Sequence, residues 1–354
     1  MEHAEIVSWL RETDESRLAD LWRMADDTRQ RYVGGEVFLR GLIEFSNHCT
    51  RLCKYCGLRA PNTELTRYRM TEDEILQCAR LAVAFGYGTV VLQSGEDPAV
   101  SVQWMSDLIR RIKGEVSPPL AITLSLGERQ DEEFRAWKAA GADRYLLRFE
   151  TSKQPLYDEI HPSRPGARSN RIAMLRRLRE IGYEVGSGVM IGIPGQSYDD
   201  LAGDIEMFGE LDLDMIGVGP YLPHSGTPLG DPDFRPLVLD DDQAPNDELM
   251  TYKVIALARL VCPKANIPST TALATLNTRR GRELGLVRGA NVVMPNLTPP
   301  QYRIHYEIYP NKACIRETAE GCRWCLEGRI ASIGRNIGGG RGDSPSYRER
   351  GVRS

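Results

Sequence analysis

The sequence predicts an α/β fold: a (βα)8 TIM-type barrel with N-terminal helices and a C-terminal cysteine-bearing extension. Three observations predict it. Short apolar runs, often β-branched, recur along the chain and read as buried parallel strands. Amphipathic stretches of helical period lie between them. Strict β-then-α alternation argues for a parallel sheet with helices outside, and eight such units suggest closure into a barrel. A doubly wound open sheet is the runner-up. In both folds chemistry sits at the C-terminal ends of the strands.

The first stretch, residues 1–35, reads as helices, because Ile6, Leu10, Leu18, Leu21 and Met24 recur at helical spacing among charges. The barrel is expected over 36–310. Its strands are predicted at 38–45, 89–93, 121–126, 144–149, 185–191, 215–219, 267–272 and 291–294. Its helices are predicted at 71–85, 102–113, 131–140, 170–181, 197–210, 246–261 and 278–284. Thr71 with Glu74 fits a capping box. Gly86, Gly141 and Gly182 follow predicted helices, as C-caps do. Residues 220–245 are rich in Pro, Gly and Asp and read as a long loop. A second-cluster segment is expected over 311–335. The Gly- and Arg-rich end, read from Gly334 and set apart as 336–354, looks like a loosely ordered, flexible tail.

Composition limits the function. The chain has 354 residues, of which 41% are hydrophobic and 27% charged, as in ordinary globular proteins. With 45 basic and 49 acidic side chains, a net charge of -4 gives no reason to expect nucleic acid or a membrane surface as partner. No secretory signal or membrane-spanning run is visible, so a cytoplasmic location is expected. Eight cysteines in a reducing compartment do not suggest a disulfide framework. Six of them fall in two tight groups, as metal ligation requires. Cys78 and Cys262 stand alone on predicted helices and read as small buried apolar side chains.

Cys49, Cys53 and Cys56 are spaced CxxxCxxC after the first predicted strand. Three close thiolates can cap three corners of a cubane iron-sulfur cluster and leave the fourth iron open. An open metal position marks a catalytic site. Structural zinc wants four ligands, and adjacent His48 and Cys49 would struggle to reach one tetrahedral ion. A redox dithiol leaves Cys49 unexplained. The pattern, with Tyr55 before the last cysteine, resembles the radical S-adenosylmethionine (SAM) superfamily. In that family the open iron chelates SAM, and one electron splits it into methionine and a 5′-deoxyadenosyl radical.

Further stretches at strand ends fit that family's SAM-binding elements. Ser94-Gly95-Glu96-Asp97 looks like the element facing the methionyl amino group, although a turn with an acidic N-cap reads the same. Glu150 suits ribose hydroxyls or the amino group, and Arg171 suits the SAM carboxylate. Their plain alternatives are a capping charge and a surface cation. Residues 188–195, GVMIGIPG, look like the segment lying along adenine. Cys314, Cys322 and Cys325, spaced Cx7CxxC, suggest a second iron-sulfur cluster, 2Fe-2S or 4Fe-4S, with surface thiols as the alternative.

In detail the chain resembles the HydE family of FeFe-hydrogenase maturases. The residues that carry this are IEFSNHCTRLCKYCGLR (43–59), LTRYRMT (65–71), VVLQSGEDP (90–98), TLSLGE (123–128), AGADRYLLR (140–148), IPSTTA (267–272) and GANVVMPN (289–296). The resemblance implies that Ser125, Glu150 and Arg171 contact SAM. It implies an anion-holding cavity floor at Thr123, Arg144, Thr270 and Thr271. It implies an organometallic substrate, a cysteine-ligated iron carbonyl-cyanide unit, an electron donor such as flavodoxin or ferredoxin, and the other hydrogenase maturases as partners. Phe149 departs from the family, which has His there. A methylornithine synthase-like enzyme on a small amino-acid substrate is one alternative. An iron-sulfur carrier is another, but it leaves Ser94–Asp97, Glu150 and Arg171 without a role.

Overall fold

The computed structural model describes residues 1–163, 169–231, 233 and 242–352. Residues 232 and 234–241 of the expected loop, and the last two of the tail, lie outside the described residues.

Among the described residues there are ten strands: β1 (Val37–Ser46), β2 (Thr89–Ser94), β3 (Ala121–Ser125), β4 (Arg144–Leu146), β5 (Glu184–Ser187), β6 (Met190–Ile191), β7 (Met215–Ile216), β8 (Gly219–Pro220), β9 (Val292–Val293) and β10 (Ile337–Gly338). The main sheet is parallel, in the order β10-β1-β2-β3-β4-β5-β7, with β9 also on β1. Single parallel bridges carry it on from Met215 to Asn266 and from Pro268 to Val292. Since β9 pairs with β1 through Phe38–Val292 and Leu39–Val293, the ring closes. The fold is therefore the expected TIM-type α/β barrel, with its seventh member reduced to two single bridges.

That reduction has a local cause. Pro268 has no N–H to give to a ladder. Two residues on, Thr270 caps the helix Thr271–Leu276. The β-branched run 267–272 expected as a strand thus turns into a helix start after one bridge. The expected strand 185–191 is likewise split into β5 and β6. Between them, a Cβ on Gly188 would lie 1.8 Å from the Gly217 carbonyl oxygen. The expected strand 144–149 ends at Leu146, and Glu150 then takes a left-handed φ of 64°.

Helices cover the outside. Thr71 and Glu74 form the expected capping box: Glu74 N donates to Thr71 Oγ1 at 3.3 Å, and Thr71 N donates to Glu74 Oε2 at 2.8 Å. Gly141 and Gly182 cap their helices with φ of 116° and 95°. The N-terminal helices His3–Arg11 and Glu15–Val33 pack against the barrel helices Tyr198–Glu210 and Glu248–Val261.

The expected loose tail is the main correction to the fold. Ile337 and Gly338 pair with Val37 and Phe38 at the start of β1, and Pro345–Val352 is helical. Between them the chain seals the end of the barrel where the strands begin. Arg40 Nη2 and Asn266 Nδ2 donate to the Gly342 carbonyl, each at 3.0 Å. Thr89 Oγ1 and Arg144 Nη2 donate to the Arg341 carbonyl, each at 2.8 Å. Ser344 N donates to Glu184 Oε1 at 2.9 Å, and Ser344 Oγ donates to Asp214 Oδ1 at 2.9 Å. No helix of the described residues is long and apolar enough to cross a membrane.

Candidate functional site

At the opposite end, where the strands finish, the loops surround a cavity of ≈ 330 Å³. Cys49, Cys53 and Cys56 all line it, with Tyr55 between the last two. The loop that carries them lies against Gly95. A Cβ on Gly95 would come within 2.4 Å of the His48 carbonyl oxygen and 2.7 Å of Cys49 Cβ. The glycine of the Ser94–Glu96 element is therefore required by close packing under the cysteine loop. Burial pushes all three thiols up, Cys53 to about 12, so at neutral pH they carry protons unless a metal replaces them. Among the described residues no three His, Cys, Asp or Glu side chains are arranged around a single metal ion. Three thiols set around one cavity fit a polynuclear cluster, whose iron corners are spread apart.

The other expected SAM contacts open on the same space. Ser94, Gly95, Glu96, Ser125, Glu150 and Arg171 line the cavity. Glu150 is buried, and its Oε2 accepts no hydrogen bond among the described residues, although Arg148 Nη2 lies 3.1 Å away. A buried carboxylate oxygen without a donor, beside a cavity, is placed to accept from a bound ligand. Arg171 Nε donates to Glu128 Oε1 at 2.9 Å, Nη1 to the Arg148 carbonyl at 2.7 Å, and Nη2 to His161 Nε2 at 2.6 Å. Arg51 Nη2 donates to Glu128 Oε1 at 3.1 Å and lies 2.9 Å from His161 Nδ1, although the imidazole accepts at only one of its two nitrogens. Burial opposes the charge on Glu128, but the Arg171 and Arg51 guanidiniums outweigh it and hold its pKa below the usual carboxylate value. Burial raises Glu96 instead. Glu128, Arg51 and His161 escaped the sequence reading because 77 to 110 positions separate Arg51 from its two partners.

The expected anion floor does not come together. Thr270 and Thr271 line the cavity, but Thr123 and Arg144 do not. Arg144 is the first residue of β4, hence at the sealed end of the barrel. It is wholly buried in ion pairs with Glu184 and Asp343, and it donates to Thr89 Oγ1 at 2.8 Å. Thr123 sits beside it in register, buried, with an Oγ1 that has no hydrogen-bond partner among the described residues. Arg144 is thus a structural cation of the plug, not a substrate ligand. Lys312, by contrast, does line the cavity, ion-paired to Glu44 and lying 5.1 Å from the Tyr306 ring centre. Asn296 Nδ2 donates to the other Glu44 oxygen at 2.7 Å. No local pattern signalled this pair, which spans 268 positions.

The second cysteine group is only partly assembled. Cys314 and Cys322 lie within hydrogen-bonding reach of each other, and that contact lowers Cys314 and raises Cys322. Cys322 and Cys325 lie on the helix Ala319–Ser332, but Cys325 is exposed and its sulfur accepts from Arg329 Nε at 3.3 Å. Cys78 and Cys262 are buried, as expected.

Comparison with known proteins gives concordant findings. A model of the Radical SAM superfamily matches residues 43–208. The FeFe hydrogenase maturase subunit HydE of Thermotoga maritima is 46% identical over 324 residues, 91% of this chain and 88% of that protein. The 3-methylornithine synthase of Methanosarcina acetivorans is 28% identical over 281 residues, 79% and 75% of the two chains. The crystal structure of a methylornithine synthase superposes with a TM-score of 0.79 at 25% identity, covering 95% of this chain and 94% of that one. The structure of HydG, another FeFe-hydrogenase maturase, has a TM-score of 0.69 at 20% identity, over 83% and 64%. At that identity it bears on the fold alone.

Proposed function

The chain belongs to the radical SAM superfamily as an enzyme of the HydE type, and we propose that it acts on a cysteine-ligated iron carbonyl-cyanide precursor during assembly of the FeFe-hydrogenase H-cluster. Cys49, Cys53 and Cys56 would hold a 4Fe-4S cluster, which when bound would supply the electron for reductive cleavage of SAM. The other roles belong to the protein. Ser94 to Glu96 border the methionyl end beneath the cysteine loop. Arg171, aligned by Glu128 and His161, offers a guanidinium to the SAM carboxylate. Glu150 accepts from the ribose hydroxyls through Oε2, which takes no hydrogen bond among the described residues, and Ser125 contributes a hydroxyl from the same cavity. Thr270, Thr271 and the Glu44–Lys312 pair border the substrate. The plug closes the far end of the barrel, which helps to keep water from a radical.

One observation carries this reading: the three cysteines, Gly95, Glu150 and Arg171 all open on one cavity. The reading includes an electron donor such as flavodoxin or ferredoxin, the other hydrogenase maturases as partners, and a cytoplasmic setting. It also includes a second, peripheral iron-sulfur cluster at Cys314, Cys322 and Cys325. Phe149, buried at the site where the family has His, and the close superposition with a methylornithine synthase support a second reading, a carbon-skeleton enzyme acting on a small amino acid. The test is anaerobic, cluster-reconstituted protein with dithionite and SAM. 5′-Deoxyadenosine formation is expected without any partner protein, and none would refute the radical SAM role. Formation of 3-methylornithine from a small amino acid would establish the second reading over the first.

A further inference from the structure

Asp204 is fully buried in the middle of the helix Tyr198–Glu210, and no salt bridge reaches it among the described residues. Four donors converge on its carboxylate. Thr151 Oγ1 donates to Oδ1 at 3.2 Å, Ser152 Oγ at 2.7 Å and Ser152 N at 2.5 Å. Gln196 Nε2 donates to Oδ2 at 2.8 Å. The two oxygens therefore serve two different walls of the cavity. Oδ1 holds the residues that directly follow Glu150, whose left-handed φ of 64° is unfavourable for a side chain with a Cβ and needs support from its surroundings. Oδ2 holds Gln196, which is itself fully buried. Gln196 Oε1 accepts from Gly192 N at 2.7 Å and Ile193 N at 3.3 Å, and its Nε2 also donates to the Met190 carbonyl at 3.3 Å. Glu150 and Met190 both line the cavity. Asp204 does not line it.

We infer that Asp204 is a positioning residue for the nucleoside half of SAM, tying the ribose-facing Glu150 to the adenine-facing segment 190–193 through one carboxylate. The inference rests on the SAM-binding reading of those two walls. Its chemistry explains why a carboxylate stands there. Only an acceptor with two oxygens takes three donors on one side and an amide N–H on the other. Gln196 cannot turn its amide round, because its oxygen is already held by two backbone N–H groups. The arrangement carries a stability cost. Burial pushes the Asp204 carboxyl up to about 7. Its folded value thus lies above the ordinary value near ~4 for aspartate, so stability attributable to this group declines as pH rises from there to about 7. A group kept only for the fold would be better replaced by a neutral one.

The prediction is a separation of effects. Asp204→Asn keeps the shape and the Oδ1 acceptor but turns an N–H towards Gln196 Nε2. In cluster-loaded protein, equilibrium dialysis is expected to show SAM binding about tenfold weaker. Methionine binding and the cluster absorbance should stay as in the parent, and the melting temperature at pH 8 should not fall. Adding Gln196→Glu reverses donor and acceptor, since a carboxylate accepts from Asn and still accepts from Gly192 N and Ile193 N, at the loss only of the long 3.3 Å donation to the Met190 carbonyl. The double variant should recover SAM binding to within about threefold of the parent. Parent-like SAM affinity in the single variant, equal losses for SAM and methionine, or a double variant no better than the single would each overturn the inference. If the parent itself fails to bind SAM, the functional reading fails first. Should Asp204→Asn not fold, Ser152→Ala removes one donor from the other side. It should weaken SAM about threefold with methionine unchanged, and unchanged SAM affinity there would overturn the inference equally.

Discussion

Replacing Arg144 with Leu separates a structural cation from a substrate-binding one. Arg144 and Glu184 are both fully buried, and Asp343, the second carboxylate, is 16% exposed. The substitution leaves Glu184 without its ion pair, whereas Asp343 keeps Arg341 and Thr89 Oγ1 keeps its bond to the Arg341 carbonyl. Removing one partner of a buried ion pair costs about 3–5 kcal/mol, because the remaining charge is uncompensated. At roughly 2–4 °C per kcal/mol in a chain of this size class, melting should fall by on the order of 10 °C. Asp343→Asn should cost less, about 1–2 kcal/mol, since Glu184 still faces the guanidinium. The assay is thermal unfolding of the cluster-loaded protein beside 5′-deoxyadenosine formation at a temperature where both variants are folded. SAM cleavage per folded molecule should be near that of the parent. An Arg144→Leu protein that melts like the parent but has lost substrate turnover would refute this account and restore Arg144 as an anion ligand.

Other expectations follow from the cavity. Cys49→Ala, Cys53→Ala and Cys56→Ala should each abolish 5′-deoxyadenosine formation while circular dichroism stays that of the folded barrel; retained product in any of them refutes the three-thiol assignment. Triple replacement of Cys314, Cys322 and Cys325 should remove iron in excess of the first cluster yet leave SAM cleavage within about twofold, a small change suited to a site outside the cavity lining. Glu150→Gln should weaken SAM about tenfold or more in a binding titration, as loss of a charge-assisted acceptor predicts, and unchanged affinity would remove Glu150 from the site. Lys312→Met leaves Glu44 unpaired and should impair substrate turnover far more than uncoupled SAM cleavage; equal losses would make the pair structural.

Most of the barrel is legible because its signals are local. The Thr71 box and the capping glycines are read from neighbouring residues, and the cysteine spacing fixes its own loop. The misreadings share a cause in packing across the barrel. Thr270 and Thr271 read as strand by β-propensity, yet Pro268 ends the ladder and Thr270 caps a helix. Arg144 opens its strand, a position at the end opposite the chemistry, although its neighbouring residues match the family. The tail looks loose because apolar periodicity is what the eye follows. It packs instead by backbone and charge: a Cβ on Gly88 would lie 1.8 Å from the Gly340 carbonyl oxygen, so two glycine-bearing segments meet backbone to backbone. The polar walls around Glu128 and Glu44 join residues far apart in sequence, which no spacing rule reaches.

The most direct test of the central claim is replacement of HydE in a cell that makes an FeFe hydrogenase. A strain lacking its own HydE, carrying this chain, is assayed anaerobically for hydrogen evolution. Restored hydrogenase activity, lost again with Cys53→Ala, is the predicted result. A chain that cleaves SAM in the test tube yet leaves the hydrogenase inactive in several such hosts would contradict the maturase role.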